Sequence, residues 1–449
     1  MTDALTLSDA RTVQVADVFK AGRRAAQLRR TTSGTVFAYL PEYVANGVDI
    51  ATTLPMAGDS LVSQAGAVPA FFAGMLPEGR RLTSLRRLVK TSADDELSLL
   101  LAVGRDVIGD VQVVPEGETP TEAESLITVQ SSFSEVRFSE IFADAGLVDR
   151  TGLPGVQDKA SARMMSVPVA QAAGRYILKV DPPEFEHLVE NEHYFLSISR
   201  AAGIPTTEAE LVADAEGRRG LLVRRFDRLV DAAGATHSRA CEDACQLMNR
   251  WPAGKYNVSA ERLTAAVARV CAAGPWPCAM GIGNCVSRGS PAMETSTRGT
   301  FRCSRPLRES GEAPVYHLPS TLPYGDLTMA LSIQGSVDGL SRAKLLEFAG
   351  AIGMTARTAT ATLDDTLEAT ATVTSDFVVG QSPLVSKWCR RGRRGSSTGA
   401  NSSRVSRLMT ASIARRLRGR ANAEPHRRRP PLSATTESTP QPFGGGGGI

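Results

Sequence analysis

Between Ala273 and Ala313 the chain loses every hydrophobic period that a helix or strand needs, and this break limits what the whole can fold into. Those 41 residues hold only three branched aliphatics, Ile282, Val286 and Leu307, but three of the seven cysteines, in an unordered mixture with Gly, Pro, Ser and Arg. Neither a 3.6-residue nor a 2-residue repeat can be drawn through them. The flanks are patterned. SAERLTAAVARVCAA before the break predicts an amphipathic helix, and YGDLTMALSIQG after it predicts a strand.

The 449 residues suffice for two or three domains with substantial cores. Residues 1–115 form a first, mixed α/β unit. TVQVADVF and TVFAYLP predict strands, VPAFFAGMLPEGRRLTSLRRLV one helix, and ELSLLLAVGRDVIGDVQVVP a helix, a Gly-Asp turn and a strand. PEGETPTEAES has linker composition, setting a linker at 116–130. In 131–272, FSEVRFSEIFADAGL predicts a helix, and a glycine-containing turn then runs into a strand. RYILKVDPP is a strand stopped by two prolines, and LVENEHYFLSISRAAG is a helix stopped at Gly203. Two more strands in TEAELVADAEGRRGLLVRRFDRLV and helices in DACQLMNRW and SAERLTAAVARVCA complete an α+β pattern. A small sheet-based lobe is followed by a helical one, the layout of kinase-like folds. Segment 314–376 continues the second lobe, and 377–449 is a basic, low-complexity tail expected to be disordered.

Composition narrows the function classes. No run approaches the roughly 18 to 20 apolar residues of a membrane span, and the acidic start MTDALTLSDA lacks a signal-peptide pattern, so a cytoplasmic location is expected. Seven cysteines without C-x2-C pairing indicate neither a disulfide framework nor a zinc site. From Lys387 to Arg429 there are fourteen Lys or Arg against one acid, Glu424, a local charge of +13. The total is +4, so the remainder carries −9. With Trp388 the only aromatic among those basic residues, base stacking finds little support and a solvated tail is expected.

Two features could carry chemistry. In Gly152-Leu153-Pro154-Gly155-Val156-Gln157-Asp158-Lys159 a turn with two glycines precedes a lysine, and exposed backbone amides in such a turn can cradle phosphate. Twenty residues on, Lys179 lies in the apolar strand Tyr176-Ile177-Leu178-Lys179-Val180, where it either aims an ammonium at phosphates or lies on a wet strand face. Glu190 and Glu192 in the next helix each offer it a carboxylate.

Together with AFFAGMLPEGRRL, LPGVQDKASA, HLVENEHYFLSISRAAGIP, LLVRRFDR, EDACQLMNRWPAGKYN and PVYHLPSTLPYGD, these stretches resemble the HipA family of kinase-like toxins. The likeness covers most of 15–272 and 314 to about 355. The resemblance implies an ATP-dependent serine/threonine protein kinase acting on translation-related targets such as an aminoacyl-tRNA synthetase. It also implies a helix-turn-helix antitoxin of the HipB kind, with DNA engaged through that antitoxin. By position, Gly152, Gly155, Val156, Gln157 and Lys159 look like the phosphate loop and Lys179 like the phosphate-facing lysine. Val223, Arg225 and Phe226, with Arg224 and Asp227 in the same run, look like the hinge that meets adenine through its backbone. Gly152 stands where some members carry a regulatory serine.

The same resemblance exposes a loss. The family's catalytic loop, similar to G-N-x-D-x-H-x-K-N, cannot be read here, so no catalytic residue is assigned. The later Y-D-L motif is Tyr316-His317-Leu318, with His317 in place of the metal-binding aspartate. A neutral imidazole is a poor magnesium ligand. ATP is therefore the expected cofactor, with magnesium binding weakened or lost. Permitted codons for Cys278 to Cys303, read two nucleotides out of phase, spell RDGYRQLCFAWLTGNGDVHARNLSV, which contains the absent loop. The missing Asp straddles Glu294 and Thr295, and the missing Asn straddles Gly299 and Thr300. The expectation is a frame disruption near Ala273, repaired before Pro314, leaving a pseudokinase. Two rivals remain: an active enzyme recruiting Glu294, Glu309, Glu312 or Asp326, and a non-catalytic module that binds the antitoxin.

Overall fold

A computed structural model describes residues 9–120, 127–128, 132–144, 164–171, 174–271, 301–302, 311–320, 324, 329, 331–338 and 340–369. The phosphate-loop candidates Gly152, Gly155, Val156, Gln157 and Lys159, the segment 273–313 apart from 301–302 and 311–313, and the basic tail lie outside the described residues.

The first layer is an antiparallel sheet of β1 (Val15–Lys20), β2 (Arg23–Thr31), β3 (Gly34–Tyr39), β4 (Leu61–Gln64) and β5 (Val111–Pro115), ordered β4-β3-β2-β1-β5. Four helices pack on it: α1 (Pro41–Val44), α2 (Ala70–Ala73), α3 (Gly79–Val89) and α4 (Glu96–Val103). Phe71, Phe72, Leu97, Leu99 and Leu100 bury themselves against Val18 and Leu28 in one core. The stretch expected as one helix over 68–89 is two, α2 and α3. Pro77 has no N–H to continue the ladder, and Gly79 sits at φ +58, outside helical geometry. Strand β2 escaped the sequence reading because its inward positions are mostly alanines, Ala25 and Ala26, which give little alternation.

The second sheet is ordered β6-β7-β8-β10-β9 and is built from β6 (Ile127–Thr128), β7 (Met165–Gln171), β8 (Gly174–Val180), β9 (Ala209–Ala213) and β10 (Arg219–Arg224). Ile127–Thr128, inside the 116–130 span set as a linker but past PEGETPTEAES, joins it in parallel with β7. Both faces are covered. Leu178, Val180 and Leu222 pack with Phe133, Phe138 and Ile141 under α5 (Phe138–Asp144). Leu221 and Val223 pack with Leu188, Val189, Phe195 and Leu196 of α6 (Leu188–Ala201). That helix ends as the sequence predicts, with Gly203 at φ +72.

A hairpin of β11 (Arg228–Val230) and β12 (Thr236–Ser238) follows, then α7 (Ala244–Leu247), a 3-10 turn, and α8 (Ala260–Ala268). The segment YGDLTMALSIQG is not a strand. Its described part is bends and turns with one isolated bridge, Ile333 to Ser336. Its apolar residues do serve a core: Met329, Leu331 and Ile333 pack with Leu345, Phe348 and Leu363 of the helices Arg342–Ala351 and Ala356–Ala369. The alternation reflects one face of a loop pressed on helices. Among the described residues no helix is long and apolar enough to cross a membrane.

Candidate functional site

The site forms where β8, α6 and the segment 315–320 meet. Lys179 lies opposite Leu221 and Ser166 in the sheet, so it shares the α6 face with Leu221 while Leu178 and Val180 turn to the other core. Burial leaves it 6 % exposed, which rules out the wet-face alternative. An ammonium in such surroundings requires a partner. Its Nζ donates to Glu192 Oε1 at 2.6 Å and to the Tyr316 carbonyl at 3.2 Å, and lies 3.2 Å from His317 Nδ1.

Of the two carboxylates offered by sequence, Glu192 is the partner. It is fully buried, whereas Glu190 faces His187 at 3.4 Å. His317 Nδ1 is 2.9 Å from Glu192 Oε1, and the Leu318 amide donates to the same oxygen at 3.3 Å. A ring nitrogen this near a carboxylate oxygen carries its proton there, since two lone pairs would repel. Glu192 Oε1 thus takes three donors, and Oε2 finds none among the described residues. Burial alone would raise the Glu192 pKa, but the Lys179 charge and His317 outweigh it and hold it at about 2. The carboxylate is ionised at any physiological pH.

Sequence reading missed Asn191, the neighbour of Glu192. Its amide donates to the Ser320 carbonyl at 3.0 Å and its oxygen accepts the Ser320 N–H at 2.7 Å. Adjacent α6 residues therefore hold both the lysine and the backbone of 316–320. The Val315 N–H donates to the Pro205 carbonyl and the Val315 carbonyl accepts the Thr207 N–H, so the chain re-enters the fold here by strand-like pairing.

The hinge candidates divide. Val223 is a core residue, 2 % exposed, in the β10 ladder opposite Ile177 and Ala209. Phe226 sets its ring 5.3 Å from that of Tyr316 and so borders the site. Arg225 sends its side chain elsewhere, while the hinge role expected of it concerns its backbone. Its amide donates to the Arg175 carbonyl, and its guanidinium turns away to Asp106 and Asp227. A buried guanidinium is held only where carboxylates neutralise it, and both lie toward the first layer.

These donors fit the two expected ligands unequally. Lys179 can face a phosphate by exchanging the Tyr316 carbonyl for a phosphate oxygen, which suits ATP. Magnesium takes oxygen ligands in near-octahedral array. The position beside the Lys179–Glu192 pair offers an imidazole tied by Nδ1 to Glu192, which does not fit that ion. Among the described residues no group of three or more His, Cys, Asp or Glu is placed to hold a metal.

The HipA N-terminal domain family matches residues 16–114 and the HipA-like C-terminal domain family residues 151–276. Two proteins of Sinorhizobium fredii (strain NBRC 101917 / NGR234), provisionally named kinases Y4mE and Y4dM, are each 31 % identical, over 262 and 212 residues. The alignments cover 55 % and 42 % of this chain, which spans 61 % and 47 % of those relatives' own lengths. Among solved structures, the Shewanella oneidensis MR-1 toxin-antitoxin complex of HipA, HipB and operator DNA matches with a TM-score of 0.66 at 16 % identity. That match covers 90 % of this chain and 97 % of the other, a likeness of fold. With both domains of the family's architecture matched in order, the chain belongs to the HipA family.

Proposed function

We propose that this chain is a HipA-type serine/threonine protein kinase homologue of a toxin-antitoxin module that binds ATP but has lost transfer of the γ-phosphate to a protein hydroxyl. The observation that carries the reading is the Lys179–Glu192 ion pair with His317 packed on it. The pair is what a phosphate-positioning site needs, and the histidine stands where an oxygen ligand for magnesium is needed. Phosphoryl transfer depends on positioning and charge neutralisation, and losing one such group costs powers of ten in rate. The absence of the G-N-x-D loop from the sequence adds to that loss.

ATP supplies the transferable phosphate when bound. Lys179 then neutralises its charge, Glu192 holds Lys179 in place, and Phe226 and Tyr316 border the site. The partner reading, a HipB-like antitoxin through which DNA is engaged, draws support from the HipA–HipB–DNA assembly that shares this fold. A second reading, a purely antitoxin-binding module, is favoured by the same His317 and differs in needing no nucleotide.

Melting of the purified full chain with ATP, with and without magnesium, tests the proposal alongside labelled-phosphate transfer to a bacterial extract. Saturation at a hundredfold over Kd stabilises by about 2.7 kcal/mol, a rise of about 3 to 5 °C for a chain of this length. Magnesium adds little, and transfer stays at background. Robust transfer would sink the loss of catalysis, and no shift with ATP leaves the antitoxin-binding reading.

A further inference from the structure

Strand β10 ends at Arg224, and residues 225–227 link it to the β11–β12 hairpin, which begins at Arg228. Arg225 and Arg228, at the two ends of this stretch, reach into the first layer. Asp106 Oδ1 accepts from Arg225 Nη1 at 2.6 Å and Arg228 Nη2 at 3.1 Å, and the Val107 carbonyl accepts from both guanidinium groups. Asp227 accepts from Arg225, from Arg228 and from the Gly109 N–H. Gly109, at φ +109 where a side chain is strained, gives its carbonyl to Arg228 as well. Two cations and two anions are thus balanced across the seam.

Between the anchored Arg225 and Asp227 sits Phe226, whose ring packs on Tyr316. The Tyr316 carbonyl accepts from Lys179, and the next residue is His317 on Glu192. The seam also borders a cavity of about 370 Å³ walled in part by Arg105, Asp106, Arg225 and Arg228. Asp106 is accordingly 27 % exposed while Asp227 is 2 % exposed. Water can reach Asp106, and Asp227 remains beside both arginines, so an Asp106 variant keeps one counter-charge and an oxygen acceptor at the seam.

We propose that Asp106 of the N-terminal domain is a positioning residue for nucleotide binding: through Arg225 and Arg228 it fixes Phe226, and Phe226 fixes the Tyr316–His317 segment against Lys179. This rests on the nucleotide-binding reading above. By linkage, a partner that draws residues 105–110 away from the arginine pair weakens nucleotide binding, and nucleotide opposes that partner equally.

Three full-length variants decide it: Asp106→Asn, Asp106→Glu and, as control, Asp110→Asn. Asp110 pairs with Lys20 at the same seam and is not a hydrogen-bond partner of residues 225–228. ATP affinity is measured at 25 °C on folded protein, and hydrogen exchange of 224–230 and 314–320 is followed without nucleotide. Asp106→Asn raises the ATP Kd about tenfold, within the range of ordinary coupling, and speeds exchange in both segments. Asp106→Glu recovers part of the affinity, and Asp110→Asn changes neither readout. If Asp106→Asn lowers stability but leaves Kd and exchange at 314–320 as in the parent, Asp106 is only structural and the proposal falls. If the parent protein binds no ATP, the nucleotide reading fails by itself. Exchange at 314–320 then decides whether Asp106 holds the segment: faster in Asp106→Asn alone supports it, and equal rates overturn it.

Discussion

Two buried ion clusters flank the β10 strand, and their different bookkeeping separates scaffold from site. At the seam, Arg225 and Arg228 meet Asp106 and Asp227, and both oxygens of Asp227 receive donors. Burial alone would raise the Asp227 pKa, but the two guanidinium groups and the Gly109 N–H hold it below the usual carboxylate range. At the site, Lys179, His317 and the Leu318 amide crowd onto one oxygen of Glu192 and leave the other without a donor among the described residues. A fully satisfied network rigidifies, whereas an unevenly satisfied one keeps polarity available for a ligand. The same chemistry, guanidinium or ammonium against carboxylate, therefore builds a strut in one place and a binding site in the other.

The comparison breaks most visibly at Asp227. Replacing it by Ala strands two buried arginines and the Gly109 N–H, and the expected loss is about 3 to 5 kcal/mol in denaturant unfolding. A loss under about 1 kcal/mol would show that the seam is not a strut.

The site cluster is sharpened by pH. The Glu192 pKa is about 2 in the fold against 4.5 in the open chain. Its stabilisation is present above pH 4.5 and is lost as pH falls toward 2, about 3 kcal/mol in full. Asp181, which caps α6 by accepting the His187 and Val189 N–H groups, has the opposite sign. Burial raises its pKa from 3.8 to about 6, with the Glu190 charge adding to the rise. Its contribution is present below pH 3.8 and lost as pH rises through about 6, again about 3 kcal/mol. Unfolding free energies at pH 4 and 7 should therefore differ less in Asp181→Asn than in the parent protein, and an unchanged difference would refute the assignment.

The smallest effect belongs to an exposed reference pair, Arg342 with Asp364, whose side chains are 45 % and 51 % exposed. Arg342→Ala should cost under about 1 kcal/mol despite bidentate geometry. A larger cost would mean that exposure does not separate the clusters.

Much of this was legible in the one-dimensional text because local rules dominated there. Apolar runs broken by Gly or paired prolines marked β8, α6 and β10, and Lys179 stood out as a charge inside one of those runs. Sequence could not choose between Glu190 and Glu192, which sit two apart on one helix and diverge by about 200° around its axis. It did not find Asp106, more than a hundred residues from Arg225 in the chain and next to it in space. It misread YGDLTMALSIQG, because a two-residue alternation is equally the signature of a loop pressed by one face on helices.

The order of elements, the α+β class, the lysine in its apolar strand, the loss of patterning over 273–313 and the histidine at 317 are properties of the sequence alone, since each depends on neighbours within a few residues. Which carboxylate meets Lys179, where His317 lies, and where the Arg225 guanidinium turns were decided only by the tertiary structure. Buried charges are placed by whichever opposite charge the packing brings within reach, and packing joins residues the sequence keeps far apart.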